Sequence, residues 1–308
     1  MFLSVVIPAY NEELNIPAII EKIKFNILNC PSVSDFEIII CDDHSNDLTF
    51  ETTKLINDNK VKAIRLSRRS GSHRAIRAGL NFSKGDVVLC ISADGQDDVG
   101  IIDKMIEKIK LGSHIVWGVR ESRDEPFFNK IFAFCFYKLL NLFVPNEKKV
   151  DLANADFYML HRKVVDSINL CKESNTSLFG LIAWIGFKQE SVKYVRNKRI
   201  YGKSKWNFKS KLKLTLDWII AFSGIPLKLI SILGLVFAFI GFLYAIFIVF
   251  LSLSGKTTPG WAETVILILI IGGIQMIMMG VLGEYLLRTF DESRRRPLYF
   301  IEESENII

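Results

Sequence analysis

Residues 2–120 alternate between two periods of apolar and polar positions. LSVVIP, FEIIIC, VKAIRLS, DVVLCIS and HIVWGVR are short apolar runs rich in β-branched residues, and each reads as a strand. Between them Glu12 to Asn29, Asp47 to Asn57, HRAIRAGLNFS and IIDKMIEKIKLG place apolar residues every three or four positions, the period of a helix with one buried face. Strands separated by helices of this length predict a mostly parallel sheet covered by helices. In open sheets of that kind ligands gather beyond the carboxyl ends of the strands, where the loops diverge at a switch in strand order.

After about residue 225 the pattern changes to long apolar runs. IPLKLISILGLVFAFIGFLYAIFIVFL, Ile225 to Leu251, has Lys228 as its only charge, and a spanning helix needs roughly 20 such residues. AETVILILIIGGIQMIMMGVLGEYLL, Ala262 to Leu287, is similar, with Glu263 and Glu284 near its ends. The linker SGKTTPGW is too short for a domain, so a transmembrane hairpin over 225–288 is expected. Two buried helices of a large soluble core would seldom stay apolar on every face for this length. Lys203, Lys205, Lys209, Lys211 and Lys213 precede the hairpin and Arg288, Arg294, Arg295 and Arg296 follow it, whereas the linker holds only Lys256. By the positive-inside rule both termini are expected in the cytoplasm, with a basic tail at 289–308. WNFKSKLKLTLDWIIAF reads as a juxtamembrane amphipathic helix over 206–224. FFNKIFAFCFYKLLNLF, 127–143, fits a helix lying in the membrane interface, with a buried core helix as the alternative.

Composition agrees with a membrane-attached protein. Half of the 308 residues are apolar, the mean hydropathy is +0.26, and the net charge of +6 thickens beside the hairpin. That balance favours anionic headgroups and phosphate-bearing ligands over nucleic acid, for which no binding motif is present. Cys30, Cys41, Cys90, Cys135 and Cys171 are odd in number and lack paired metal spacing, so they read as buried thiols. No charged leader precedes SVVIPAY, which leaves the hairpin as the expected membrane address.

The candidate chemistry lies at the predicted strand ends. PAYNEE, CDDHSND, SRRSGSHR and SADGQDD follow the first four strands. Any one of these loops, Asn11 or Asp42 included, is explained by turns and helix caps. Carboxylates, amides and basic groups brought by four strands to one rim are what a nucleotide diphosphate and a metal require.

PAYNEE, CDDHSND, SADGQDD, the GVR at Gly118 to Arg120, YGKSKW at Tyr201 to Trp206 and the terminal RRRPLY resemble the polyprenyl-phosphate glycosyltransferases of family 2. That group includes dolichyl-phosphate mannose synthases and bacterial enzymes that load glucose onto undecaprenyl phosphate, and the bacterial branch shares the two-helix hairpin. The resemblance covers nearly the whole chain. It implies an α/β, GT-A-like, Rossmann-type catalytic domain over residues 1–205, followed by the juxtamembrane helix and the hairpin. By this resemblance Pro8, Tyr10 and Glu12 line the nucleotide base and ribose, Asp42 accepts from the uracil ring, and Asp43 and Arg68 lie close by. Asp94 and Gln96 hold Mg²⁺ or Mn²⁺ beneath the diphosphate. Arg199, Ser204 and Lys205 lie in a basic loop that closes over the donor. Arg120, Arg123 and Lys130 receive the lipid phosphate, and Asp156, Arg120 and Lys205 are the expected catalytic residues. Asp156 orients or binds the sugar, because an ionised phosphate monoester hardly needs a base.

Several positions depart from the family pattern. Ser92 stands where the first aspartate of Asp-x-Asp is usual, and Tyr158 stands where an arginine is usual. Asp97 and Asp98 read as negative charges at the start of the next helix rather than as metal ligands. In SRRSGSHR, Arg68 and Gly71 match whereas Arg69, Ser70 and His73 do not. The extra basic charge there either holds phosphate or faces solvent, and His73 reads as a surface histidine.

The residues alone predict a membrane-tethered nucleotide enzyme; the resemblance implies an inverting hexosyltransferase that moves one sugar, glucose by preference, from a UDP-sugar to undecaprenyl phosphate at the cytoplasmic face of the bacterial plasma membrane. The partners expected are the two substrates and membrane lipids, with no nucleic acid, and the resemblance permits a homo-oligomer such as a tetramer. A processive polysaccharide synthase would need more spans and a Gln-x-x-Arg-Trp motif. The other rival, a non-catalytic sugar-binding relative, is motivated by Ser92 and Tyr158.

Overall fold

A computed structural model describes residues 1–121, 155–173, 176–197, 225–254 and 260–307. Two compact units divide the chain: Met1–Lys211 together with Pro297–Ile308, and Leu212–Arg296. In the first unit β1 (Phe2–Ala9), β2 (Asp35–Asp42), β3 (Val61–Leu66), β4 (Val87–Cys90), β5 (Ile115–Arg120), β6 (Ala155–His161), β7 (Gln189–Tyr194) and β8 (Ile301–Glu305) form one eight-stranded sheet in the order β7-β5-β6-β4-β1-β2-β3-β8. The helices α1 (Ile16–Leu28), α2 (Thr49–Lys54), α3 (Ser72–Phe82), α4 (Ile102–Lys110), α5 (Arg162–Leu170) and α6 (Leu178–Trp184) lie between the strands along the chain.

The apolar runs become strands because both of their faces are covered. Leu3, Val5 and Ile7 of β1 join one core cluster with Ile16, Ile19, Ile20, Ile23 and Ile27, the apolar stripe of α1. On α3 the close approach to the sheet depends on a missing side chain, since a Cβ on Gly79 would lie 2.3 Å from Val6 Cγ1. Burying a residue of this size contributes about 1.5–3 kcal/mol, so these two layers supply much of the unit's stability.

β1 pairs in parallel with β2 on one side and with β4 on the other. The loops after β1 and β4 therefore diverge, which is the switch point that an open sheet uses for ligands. The expected parallel core is present, with two reversals. β6 runs antiparallel between β4 and β5, which carries the residues that open β6 to the carboxyl ends of its neighbours. β8 runs antiparallel on the outer edge of β3. The expected basic tail over 289–308 thus ends as a strand of the eight-stranded sheet. Its sequence, IEESE, lacks apolar alternation because all five side chains are exposed.

In the second unit α7 (Ile225–Leu253) and α8 (Trp261–Ser293) are long and apolar. Their candidate spans, Ile230–Leu251 with mean hydropathy 2.8 and Ile270–Ser293 with 1.6, bury none of the window inside the chain. Large exposed side chains such as Phe239, Phe242, Phe247 and Met276 need an apolar medium around them. Cys30, Cys41 and Cys90 are buried as expected, while Cys171 is partly exposed. Cys135, the 127–143 helix and the 206–224 helix lie outside the described residues.

Candidate active site

A cavity of about 370 Å³ opens at the switch point. Its wall draws Pro8, Tyr10 and Glu12 from the end of β1, Asp43 from the end of β2, Ser92 and Asp94 from beyond β4, and Asp156 and Tyr158 from β6. Ser72 and Ile76 of α3 complete one side. Of the residues singled out in the sequence, Pro8, Tyr10, Glu12, Asp43, Asp94 and Asp156 are thereby brought together. A wall with carboxylates from four strand ends repels a diphosphate unless cations enter with it.

Asp42 and Asp43, adjacent in sequence, point to different surroundings. Asp42 is fully buried behind the turn, where Oδ1 accepts from the Ser45 amide at 3.1 Å and from the Ser45 hydroxyl. Burial raises its pKa. It therefore does not line the cavity, contrary to the expectation that it meets the uracil ring. Asp43 does line it, and accepts from the amides of Ser70 at 2.6 Å and Gly71 at 2.8 Å. Burial raises the Asp43 pKa, against the lowering effect of those two amides and of Arg69 and Arg74 nearby.

The loop after β3 thus hangs on a donor-side carboxylate. Within it the Arg69 guanidinium stacks 4.1 Å from the centre of the Tyr10 ring. Arg68 is exposed and stands outside the cavity wall. His73 is not the surface histidine expected, because its Nδ1 accepts the Leu178 amide at 3.0 Å where α6 begins. Burial lowers its pKa and keeps that nitrogen available as an acceptor.

Beyond β4 the crowded carboxylates separate. The Ser92 hydroxyl lies 2.8 Å from both Asp94 Oδ1 and Asp97 Oδ2, and the Ser92 amide donates to Asp97 Oδ2 at 2.7 Å. A hydroxyl has one proton, so both contacts are hydrogen bonds only when a carboxyl is protonated. Asp97 is suited to that state, since burial pushes its pKa up to about 6. Asp97 is therefore not a helix-start charge as expected; it folds back onto Ser92. Asp98 does cap, accepting from the Gly100 amide at 3.0 Å ahead of the 3₁₀ turn Val99–Ile101. Gln96 is turned toward the strand β7 exit: its Oε1 accepts from Arg196 Nη2 at 2.7 Å, and Asn197 donates to its carbonyl at 3.0 Å.

Arg120 and Asp156 form a two-pronged ion pair, Arg120 Nε and Nη2 donating to separate carboxylate oxygens. The Tyr194 hydroxyl also donates to Asp156 Oδ2, and desolvation with that carboxylate raises the tyrosine pKa. Both oxygens of Asp156 are thus engaged by neighbouring side chains. The packing beneath is tight: Phe157 meets Tyr194 edge to face at 5.0 Å, and a Cβ on Gly118 would lie 2.6 Å from the Phe157 ring. Tyr194 and Arg196 were missed in the sequence, and Arg69, left between phosphate and solvent, packs over the Tyr10 ring. The period-two pattern Val192, Tyr194 in SVKYV is the signal that places Tyr194 on an inward face. Arg123, Lys130, Arg199, Ser204 and Lys205 lie outside the described residues.

Carboxylates converging from separate strands on a switch-point cavity, in a mostly parallel sheet with one reversed inner strand, define a GT-A-like glycosyltransferase. The chain belongs to glycosyl transferase family 2, whose model matches residues 4–166. It is 38% identical to the uncharacterized glycosyltransferase YkcC of Bacillus subtilis, over 99% of this chain and 94% of that protein. It is 34% identical to the prophage bactoprenol glucosyl transferase homolog of Escherichia coli, over 98% of this chain and 99% of that protein. The bactoprenol glucosyl transferase of Shigella phage SfV is also 34% identical, with 99% of each chain covered.

Proposed function

We propose that this transferase moves one glucose from UDP-glucose to undecaprenyl phosphate at the cytoplasmic leaflet of the bacterial plasma membrane. The observation that carries the reading is the carboxylate-walled cavity at the β1/β4 switch point, taken with full-length similarity to proteins named bactoprenol glucosyl transferases. The proposed division of the chain is a catalytic unit over 1–205, a juxtamembrane segment over 206–224 and a hairpin over 225–288, with β8 returning to the catalytic sheet.

In this reading Pro8, Tyr10 and Asp43 take the base and ribose, because a uracil ring N–H and ribose hydroxyls need acceptors. Mg²⁺ or Mn²⁺ fits at Asp94, with the Ser92 hydroxyl alongside: both are hard oxygen donors, and such ions take one or two protein carboxylates plus substrate phosphates. Among the described residues no group of three or more His, Cys, Asp or Glu forms a protein-only cage, so the diphosphate completes the site. When bound, the metal neutralises charge on the departing UDP. The Gln96 carboxamide oxygen, which already accepts from Arg196, has a second lone pair for that set.

The lipid phosphate oxygen attacks the anomeric carbon as the bond to the UDP oxygen breaks, with inversion. Asp156, itself bonded by Tyr194, holds the Arg120 guanidinium, which in this reading offers a fixed cation to a phosphate. Replacing Asp94 with Ala is the direct test of the metal-bearing half. We expect Mn²⁺-dependent binding of UDP, followed by calorimetry, to be lost while membrane insertion is kept; undiminished binding would refute the role.

A further inference from the structure

The C-terminal strand β8 sits more than 200 residues from the cavity in sequence, yet it reaches the turn that carries Asp43. β8 pairs with β3 in the register Leu66↔Ile301, Arg65↔Glu303, Ile64↔Ser304 and Ala63↔Glu305, with an irregularity between Arg65 and Leu66. Glu302 falls at that irregularity. Its Oε2 accepts from Arg65 Nε at 3.1 Å and lies 3.2 Å from His44 Nδ1. His44 Nδ1 is also 3.1 Å from the Leu66 carbonyl, so the nitrogen faces two acceptors and carries the proton. Arg65 in turn donates from Nη2 to the Ser45 carbonyl at 3.3 Å, and its Nε lies 3.9 Å from Asp42 Oδ2.

These contacts converge on Asp42 to Ser45. His44 has φ of +57°, a left-handed backbone that a residue with a side chain adopts at a cost. It follows Asp43 directly, so the two residues share one turn, while the Asp43 carboxylate itself is held by the Ser70 and Gly71 amides. Glu302 therefore bridges the two basic groups, one at the apex of the turn and one at its base, that hold this conformation.

We propose that Glu302 is a positioning residue for the nucleotide donor: through His44 and Arg65 it holds the turn that presents Asp43 to the cavity. The C-terminal strand is then part of the donor site, and residues 294–300 join it directly to the end of α8. This rests on the reading of Asp43 as a donor contact.

The test measures UDP binding by calorimetry, and donor KM and kcat, on the full-length protein with Mn²⁺. Glu302→Gln is expected to weaken UDP binding and raise donor KM about two- to fivefold, the range of a partly exposed ion pair, with kcat and acceptor KM unchanged. Glu303→Gln, on the same strand, breaks only the 2.7 Å pair with Lys54 of α2 and is expected to leave both unchanged. The Glu302→Gln effect should shrink in a His44→Asn background, because asparagine tolerates the left-handed backbone and loses the imidazole tether. Equal effects of Glu302→Gln and Glu303→Gln would reduce Glu302 to strand docking and overturn the proposal. Unchanged UDP binding in Glu302→Gln would overturn it too, provided Asp43→Asn weakens binding. If Asp43→Asn has no effect, the donor reading itself fails.

Discussion

Asp97 gives the clearest consequence at the scale of a single residue. Burial holds its carboxyl at about 6, above the roughly 3.9 of an unfolded chain. A raised acid pKa stabilises the folded state below the unfolded value and loses that contribution as pH rises through the folded value. The group thus favours the fold near pH 4 and has withdrawn its contribution by about pH 7. In metal-free protein, wild type is expected to lose about 2 kcal/mol relative to Asp97→Asn between pH 4 and pH 7.5, less than the full value of two pKa units because the unfolded carboxyl is already about half ionised at pH 4. Chemical denaturation at the two pH values checks this; a constant difference would contradict the burial of the charge. Asp156 makes the second prediction. With its oxygens occupied by Arg120 and Tyr194, Tyr194→Phe should lower kcat by about tenfold through a looser Arg120, without displacing the acid limb of the pH profile as loss of a base would. At this scale the sequence revealed residue types better than directions. Asp94 and Asp156 were legible from their motifs, whereas the opposite facing of Asp42 and Asp43 was not read from theirs. Locally, strand alternation at the end of β2 and the Asp42–Ser45 contact already separate the two side chains; the long-range tie to Glu302 is what CDDHSND does not encode.

Among the secondary-structure elements, legibility followed hydrophobic periodicity. β1 to β5 and α1, α3 and α4 were all evident, because each buries an apolar run or stripe against the core. The reversed strand β6 was readable as a motif, NADFYMLHR, but its direction is set by its neighbours β4 and β5. β8 was hidden because an exposed edge strand is specified by backbone pairing and by Glu302 and Glu303 meeting Arg65 and Lys54. Truncation before Ile301 is expected to raise donor KM and lower the unfolding temperature of the catalytic unit while leaving membrane insertion intact. A truncated protein with wild-type donor KM would separate β8 from the donor site.

For the whole molecule, chain connectivity supplies an argument about topology that is independent of charge. The chain leaves the catalytic unit before the hairpin and comes back as a strand paired with β3, so an even number of crossings is required. Two candidate spans satisfy this, and the proposed cytoplasmic placement of the catalytic side rests on the lysines and arginines that flank them in the sequence. A cysteine placed at Lys256, in a background without the native thiols, should react with an impermeant maleimide added outside intact cells, whereas one at Ile308 should not. The reverse labelling would invert the topology. The proposal as a whole joins this placement to the cavity chemistry, and one measurement addresses both. Purified full-length protein is incubated with labelled UDP-glucose, undecaprenyl phosphate and Mg²⁺ or Mn²⁺, and the organic phase is analysed for glycolipid. The predicted result is one labelled glucose per lipid phosphate, dependent on the metal and absent in Asp94→Ala; a labelled polymer, or no glycolipid from UDP-glucose, would contradict it.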